Sequence, residues 1–100
     1  WVIENLCKNA VDAMGGVGVL VISVQETSRY WCIDVADTGK GIDKRYFETV
    51  FAPGYTTKKR GWGLGLSLAR RIVVEYHSGS IFVKQSEINK GTIFRIELKK

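Results

Sequence analysis

The 100-residue chain has no run approaching the roughly 18–20 apolar residues that a membrane-spanning helix needs. Its longest apolar stretch, Val17 to Val24, is too short to span and reads as a buried strand. The opening WVIENLCKNAVDAM does not read as a signal peptide; it has the character expected of a helix already under way, without a start methionine or an N-cap. Such an opening is expected of a fragment of a longer protein. Cysteine is scarce. Cys7 and Cys32 fall on apolar stretches, with no CxxC and no histidine cluster, which favours buried free thiols over a disulfide or a metal site and fits a reducing compartment. Histidine occurs once, as His77 at a helix end, where the helix dipole favours a cation; a structural role is expected. Repeats, low-complexity tracts and interdomain linkers are missing, which leaves one domain.

The ordinary phosphate-binding fingerprints are missing too. No GxxxxGK[ST] occurs, and the glycines at 61, 63 and 65 have GxGxG spacing after a loop instead of a strand, so they do not make a dinucleotide fingerprint. What is present is an ordinary globular balance, 45% hydrophobic and 25% charged. The net charge of +5 permits an anionic partner or simply a solvated basic surface.

Residues 1–14 have helical periodicity. Ile3, Leu6, Cys7, Ala10, Val11 and Met14 fall on one side and Asn5, Lys8, Asn9 and Asp12 on the other, with Gly15 and Gly16 as the stop. Val17 to Gln25 and Tyr30 to Ala36 read as a hairpin, followed by the loop DTGKGI over 37–42. A short helix is expected from Asp43, its N-cap, to Glu48. Phe51 to Gly63 lacks apolar periodicity and is long enough for a functional loop. Leu66, Ala69, Val73 and Tyr76 then recur at helical spacing, with Arg70, Arg71 and Glu75 outward and Ser78–Gly79 as the stop. A final hairpin joins Ser80 to Gln85 with an alternating strand that has Thr92, Phe94, Ile96 and Leu98 on one face and Ile93, Arg95 and Glu97 on the other. Hairpins separated by helices indicate a two-layer α+β sandwich and exclude a doubly wound parallel sheet.

Three constellations carry chemistry. Asn5 and Asn9, at i and i+4 with Asp12 beyond, form an oxygen-rich stripe; it is either a solvated helix face or a site for a hard cation such as Mg²⁺. The turn 37-DTGKGI-42 places an acid at a strand end beside two glycines, suited to an exocyclic amine or to nothing more than a tight turn. The stretch 56-TTKKRGWGLGL-66 sets Lys58, Lys59 and Arg60 beside glycines that lead into a helix, an arrangement that favours anions, although a solvated charge run has the same composition.

Taken in order, these motifs resemble the ATP-binding catalytic domain of sensor histidine kinases, within the wider superfamily that includes gyrase and MutL. ENLCKNAVDA over 4–13 resembles the N box, DTGKG over 37–41 the G1 box, FETVF over 47–51 the F box, GWGLGL over 61–66 the G2 box, and Gly91–Thr92 the closing Gly-Thr. The resemblance implies the Bergerat fold: a two-layer α/β sandwich with a mixed, mostly antiparallel sheet and helices on one face. It implies ATP and Mg²⁺ as ligands. Asn9 would coordinate the metal, with Asn5 facing the triphosphate. Asp37 would receive the adenine amino group, supported by Thr92, while Gly39, Gly41 and Ile42 shape the pocket. Phe47 and Phe51 would anchor a lid over 52–60, and Lys58, Gly61, Gly63, Gly65 and Leu66 would line the phosphates. The implied partners are a dimerisation domain of the same protein that carries the acceptor histidine, and a downstream response regulator. No nucleic acid is expected. The implied setting is a cytoplasmic domain of a homodimeric parent, with or without a membrane anchor. The family's domain also begins with a strand and helix before the N box.

Two positions depart from the family pattern. Asp12 stands where many of these kinases carry a lysine, so Lys58 is left to contact the triphosphate, and Trp62 replaces a small residue between the first two G2 glycines. In the superfamily's ATPases a glutamate four residues before the metal asparagine activates water; here that position is Asn5, and Glu4 is rotated from it by about 100°. Phosphoryl transfer to an external histidine is therefore expected in preference to hydrolysis. The alternatives are an ATPase or an anti-sigma serine kinase of the same superfamily. A third is a non-catalytic basic module for nucleic acid or an acidic protein, with Tyr55 and Trp62 flanking the cations.

Overall fold

The computed structural model describes residues 1–55 and 65–100. The expectations for Lys58, Gly61, Trp62 and Gly63 lie outside the described residues. The elements run α1 (Val2–Ala13), β1 (Leu20–Glu26), β2 (Tyr30–Asp37) and two 3-10 turns (Lys44–Tyr46 and Thr49–Phe51). Then come α2 (Gly65–Arg71), which passes into a π-helical turn (Ile72–Tyr76), and β3 (Ser80–Glu87) and β4 (Gly91–Lys99). The strands lie in the order β1-β2-β4-β3, and every pairing among the described residues is antiparallel.

The alternation in β4 decides which face is inside. Thr92, Phe94 and Ile96 are buried, opposite Asp37, Val35 and Ile33 of β2, because successive side chains of a strand point to opposite faces. Leu6 of α1, Ala69 of α2 and Val73 of the π-helical turn cover this face, and Phe51 meets Phe94 edge-on at 6.0 Å. Burying one such leucine is worth about 2 kcal/mol. The outer face carries Asp34 and its cross-strand partner Arg95. Both cysteines are free thiols, Cys32 buried and Cys7 half-buried.

Several local expectations change. The run from Val17 was expected to be a buried strand. It forms a strand only from Leu20, and Val21, Ile22 and Val24 are exposed, Val24 by 63%. The cause is topological: β1 is the edge of the four-stranded sheet, and only Leu20 packs against the core. Hydropathy marks a strand without saying how many neighbours it has. Val11, expected on the inner side of α1, is exposed at the margin of the apolar stripe. The helix expected over 43–48 is a single 3-10 turn at Lys44–Tyr46, with a second at Thr49–Phe51 beyond it; Asp43 caps the first as expected, accepting the Arg45 N–H at 3.1 Å. Tyr76 was expected to face inward, and it is 75% exposed. The π turn holds more residues per turn than an α-helix, so phase is lost after Val73. Arg71 and Glu75 point outward and pair at 3.2 Å, whereas Arg70 lies over the Phe51 ring and pairs with Glu48. Ser78 (φ +50°) and Gly79, whose N–H bonds to the Val73 carbonyl, end the helix.

Candidate functional site

Asp37 is the last residue of β2 and not a loop residue, so the sheet fixes it. It lies on the inner face directly opposite Thr92, and both are buried, Asp37 to 8% exposure. The Gly39 N–H donates to Asp37 Oδ1 at 2.9 Å. Burial pushes the Asp37 carboxyl above the ordinary aspartate range, and backbone hydrogen bonds from Gly39 and Thr92 pull it partly back.

The loop after Asp37 is clamped from both sides. From α1, the Ala13 carbonyl accepts the Lys40 N–H at 3.0 Å. From the β3–β4 turn, the Asn89 N–H donates to the Lys40 carbonyl at 2.8 Å. The Ile42 N–H donates to Ser86 Oγ at 2.7 Å. Two glycines make this closeness possible. Gly41 (φ +77°) has the Glu87 carbonyl oxygen where a side chain would begin, and Gly91 (φ +131°) has that of Asp37. Gly39 is similarly pressed against Ala13, and Ile42 packs on the core.

The second group lies at the other end of α1. Asn5 and Asn9 are half-buried, one turn apart. A Cβ at Gly65 would stand 2.7 Å from Asn5 Oδ1, so the start of α2 closes directly on that amide. Leu66 packs against the core beside it. Glu4, by contrast, is turned to solvent with its side chain 88% exposed. Helix α1 thus joins the two groups, touching Gly39 at Ala13 and Gly65 at Asn5. Eight residues of α-helix span about 12 Å. Phe47 is half-buried and Phe51 buried at the root of the segment that leads to residue 56, where Tyr55 stacks on Tyr46 at 6.5 Å.

Ser86 is the site residue that the sequence did not single out. A register shift between Val83 and Gln85 leaves Lys84 as the extra residue of β3, and Ser86 lands opposite Thr92. Strict alternation from Ile81 and Val83 would have turned Ser86 outward. A serine close before Gly91–Thr92 was the available signal, but the bulge that makes it count is a tertiary feature.

For a divalent cation, the donors on offer are the amide oxygens of α1. No cluster of three or more His, Cys, Asp or Glu side chains exists among the described residues, so no protein-only cage is present there. A neutral amide suits a hard cation that draws its remaining ligands from phosphate and water, as Mg²⁺ does. The residues present fit that ion on donor chemistry.

An antiparallel sheet covered on one face by helices, with polar groups gathered where α1 meets the 38–42 loop and the start of α2, defines a two-layer α+β sandwich of nucleotide-binding type. The chain belongs to the family of histidine kinase-, DNA gyrase B- and HSP90-like ATPases, whose model matches it over residues 1–100. It is 40% identical over 97 residues to the sensor histidine kinase ZraS of Escherichia coli (strain K12), covering 97% of this chain and 20% of that protein. It is 37% identical over 94 residues to sporulation kinase C of Bacillus subtilis (strain 168), covering 94% of this chain and 22% of that one. The chain therefore spans about a fifth of the length of these curated relatives. Among solved structures it is similar to the nucleotide-free catalytic domain of histidine kinase ThkA, with a TM-score of 0.84 and 34% identity, over 99% of this chain and 65% of that one. It is also similar to ThkA in complex with the response regulator protein TrrA, with a TM-score of 0.81 and 31% identity, over 99% of this chain and 27% of that one. No helix among the described residues is long and apolar enough to cross a membrane.

Proposed function

We propose that this chain is the ATP-binding catalytic domain of a sensor histidine kinase, which donates the γ-phosphoryl group of ATP to a histidine on a separate dimerisation domain. The observation that carries the reading is Asp37: a buried, sheet-fixed carboxylate beside Thr92, at the opposite end of α1 from Asn5 and Gly65. In this reading Asp37 accepts the adenine amine, and Gly39, Gly41 and Ile42 line the base. Asn5, Gly65 and Leu66 lie along the triphosphate, with Lys58, Gly61 and Gly63 joining them from outside the described residues. Asn9 ligates Mg²⁺, which when bound offsets phosphate charge. Protein groups do the rest: they hold the base, align the phosphates and leave the terminal phosphoryl open to an acceptor.

Transfer is favoured over hydrolysis by Glu4. Its carboxylate faces solvent, and the position one turn before Asn9 holds an amide, which cannot take a proton from water. The next acceptor in the relay is an aspartate of a response regulator, the class of protein found with the similar ThkA. The test is calorimetric titration with a non-hydrolysable ATP analogue, with and without Mg²⁺, on the protein and on Asn9→Ala. Tight binding only with Mg²⁺, weakened by Asn9→Ala, is expected; binding indifferent to both would contradict the reading. Glu4→Ala should leave ATP turnover and phosphotransfer unchanged, and loss of turnover alone would instead indicate an ATPase.

A further inference from the structure

We infer that Ser86 is a positioning residue that makes the base pocket an acceptor-only surface, and so favours a 6-amino purine over a 6-oxo purine. The inference rests on the reading of Asp37 and Thr92 as the pair that faces the base.

The argument is a count of protons. Ser86 Oγ has three neighbours: the Ile42 N–H at 2.7 Å, the Gly91 carbonyl oxygen at 3.0 Å and Thr92 Oγ1 at 2.7 Å. The Ile42 N–H can only donate, and the Gly91 carbonyl can only accept. A serine hydroxyl has one proton and two lone pairs. One arrangement uses every group: Ile42 N–H and Thr92 O–H both donate to Ser86 Oγ, and Ser86 O–H donates to the Gly91 carbonyl. The Thr92 proton is then committed to Ser86, and the Thr92 hydroxyl offers only lone pairs to anything else. Asp37, ionised, is also an acceptor only, and the Gly39 N–H beside it is already spent on Oδ1.

The wall formed by Asp37 and Thr92 therefore has acceptors and no free hydroxyl donor. An exocyclic amine satisfies it, directly or through one water, whereas a 6-oxo group brings a third acceptor to face the other two. Buried acceptors left without a donor are costly, which is how such sites discriminate. Ser86 touches no substrate in this account; it acts through Thr92. Removing its hydroxyl releases the Thr92 proton, which can then turn toward a 6-oxo oxygen.

The test compares affinities for ATP and inosine triphosphate in the protein, in Ser86→Ala and in Ser86→Thr. The expected result is a preference for ATP that Ser86→Ala narrows by about tenfold, since one misplaced hydrogen bond is worth roughly that ratio. Ser86→Thr, which keeps the hydroxyl, should restore the preference. Should Ser86→Ala fail to fold, Ser86→Cys keeps the shape with a poor donor and acceptor and should narrow the ratio likewise. A merely structural serine would weaken both nucleotides equally, and an unchanged ratio in the folded variant overturns the inference while leaving the pocket assignment standing. A protein that does not distinguish the two nucleotides before any substitution would remove the pocket assignment, and this inference with it.

Discussion

Asp34 and Asp37 stand three residues apart on one strand and are almost equally buried, at 7% and 8% exposure, yet face opposite sides of the sheet. On the outer face, Arg95 grips Asp34 with two hydrogen bonds of 2.7 and 2.9 Å, and Lys84 adds a third cationic contact at 3.6 Å. The Arg95 guanidinium holds the Asp34 carboxyl below the ordinary aspartate range, and burial opposes it only in part. On the inner face, burial pushes the Asp37 carboxyl up, and the main-chain N–H groups of Gly39 and Thr92 hold it. Burial by itself does not mark a functional acid. The distinction lies in whether the acceptor capacity is already spent: at Asp34 a guanidinium takes it up within the fold, and at Asp37 only main-chain N–H groups do, which under the proposed function leaves part of it for a ligand.

The largest effect expected on this pair comes from the backbone around Asp37. Gly91→Ala places a methyl group against the Asp37 carbonyl at φ +131°, and should cost about 2–4 kcal/mol in chemical denaturation while also weakening nucleotide binding. Next, Asp34→Ala leaves Arg95 half-buried without its partner. A loss of about 2 kcal/mol is expected, seen as a drop in Tm on the order of 10 °C, with nucleotide affinity changed less than threefold. A fall in affinity larger than the fall in stability would erase the distinction between the two acids.

Acidification should separate them without any substitution. Asp34 has a folded pKa below its unfolded value, so its stabilisation is present above the unfolded value and is lost as pH falls through the folded one. Asp37 has a folded pKa above its unfolded value; its ionisation opposes folding, and that opposition disappears as pH falls from the folded value to the unfolded one, a window above that of Asp34. Under the proposed function the ionised Asp37 is the stronger acceptor for the adenine amine, and protonation puts a competing donor in its place. Lowering the pH should thus abolish ATP affinity first and unfold the chain later, read by titration and by circular dichroism on the same samples. The smallest effect belongs to the sheet edge: Ile22→Ser should change stability by no more than about 0.5 kcal/mol, because Ile22 is already exposed.

The sequence was legible where a local pattern and its tertiary use agree. The alternation of Thr92, Phe94 and Ile96 marked β4 and its buried face, and the Asp-Thr-Gly-Lys-Gly order marked a strand-end acid beside glycines, where the structure has the close backbone approach at Gly39 and Gly41. Illegible features were those set by neighbours distant in sequence. Val21, Ile22 and Val24 look like a core strand until the sheet order makes β1 an edge. Tyr76 follows helical spacing until a π turn shifts the phase. Ser86 falls on the wrong face until the extra residue at Lys84 reverses the alternation, and Asp34 goes unnoticed because Arg95, its partner, is 61 residues away.

The central claim is that Asp37, and not its equally buried neighbour, is the carboxylate that receives the nucleotide. It is tested by calorimetric titration of ATP and Mg²⁺ into the unaltered protein, Asp34→Asn and Asp37→Asn at neutral pH. The expected result is retained affinity in Asp34→Asn and a loss of about 100-fold or more in Asp37→Asn, whose amide would turn a donor toward the adenine amine. Undiminished ATP binding by a folded Asp37→Asn would contradict the claim.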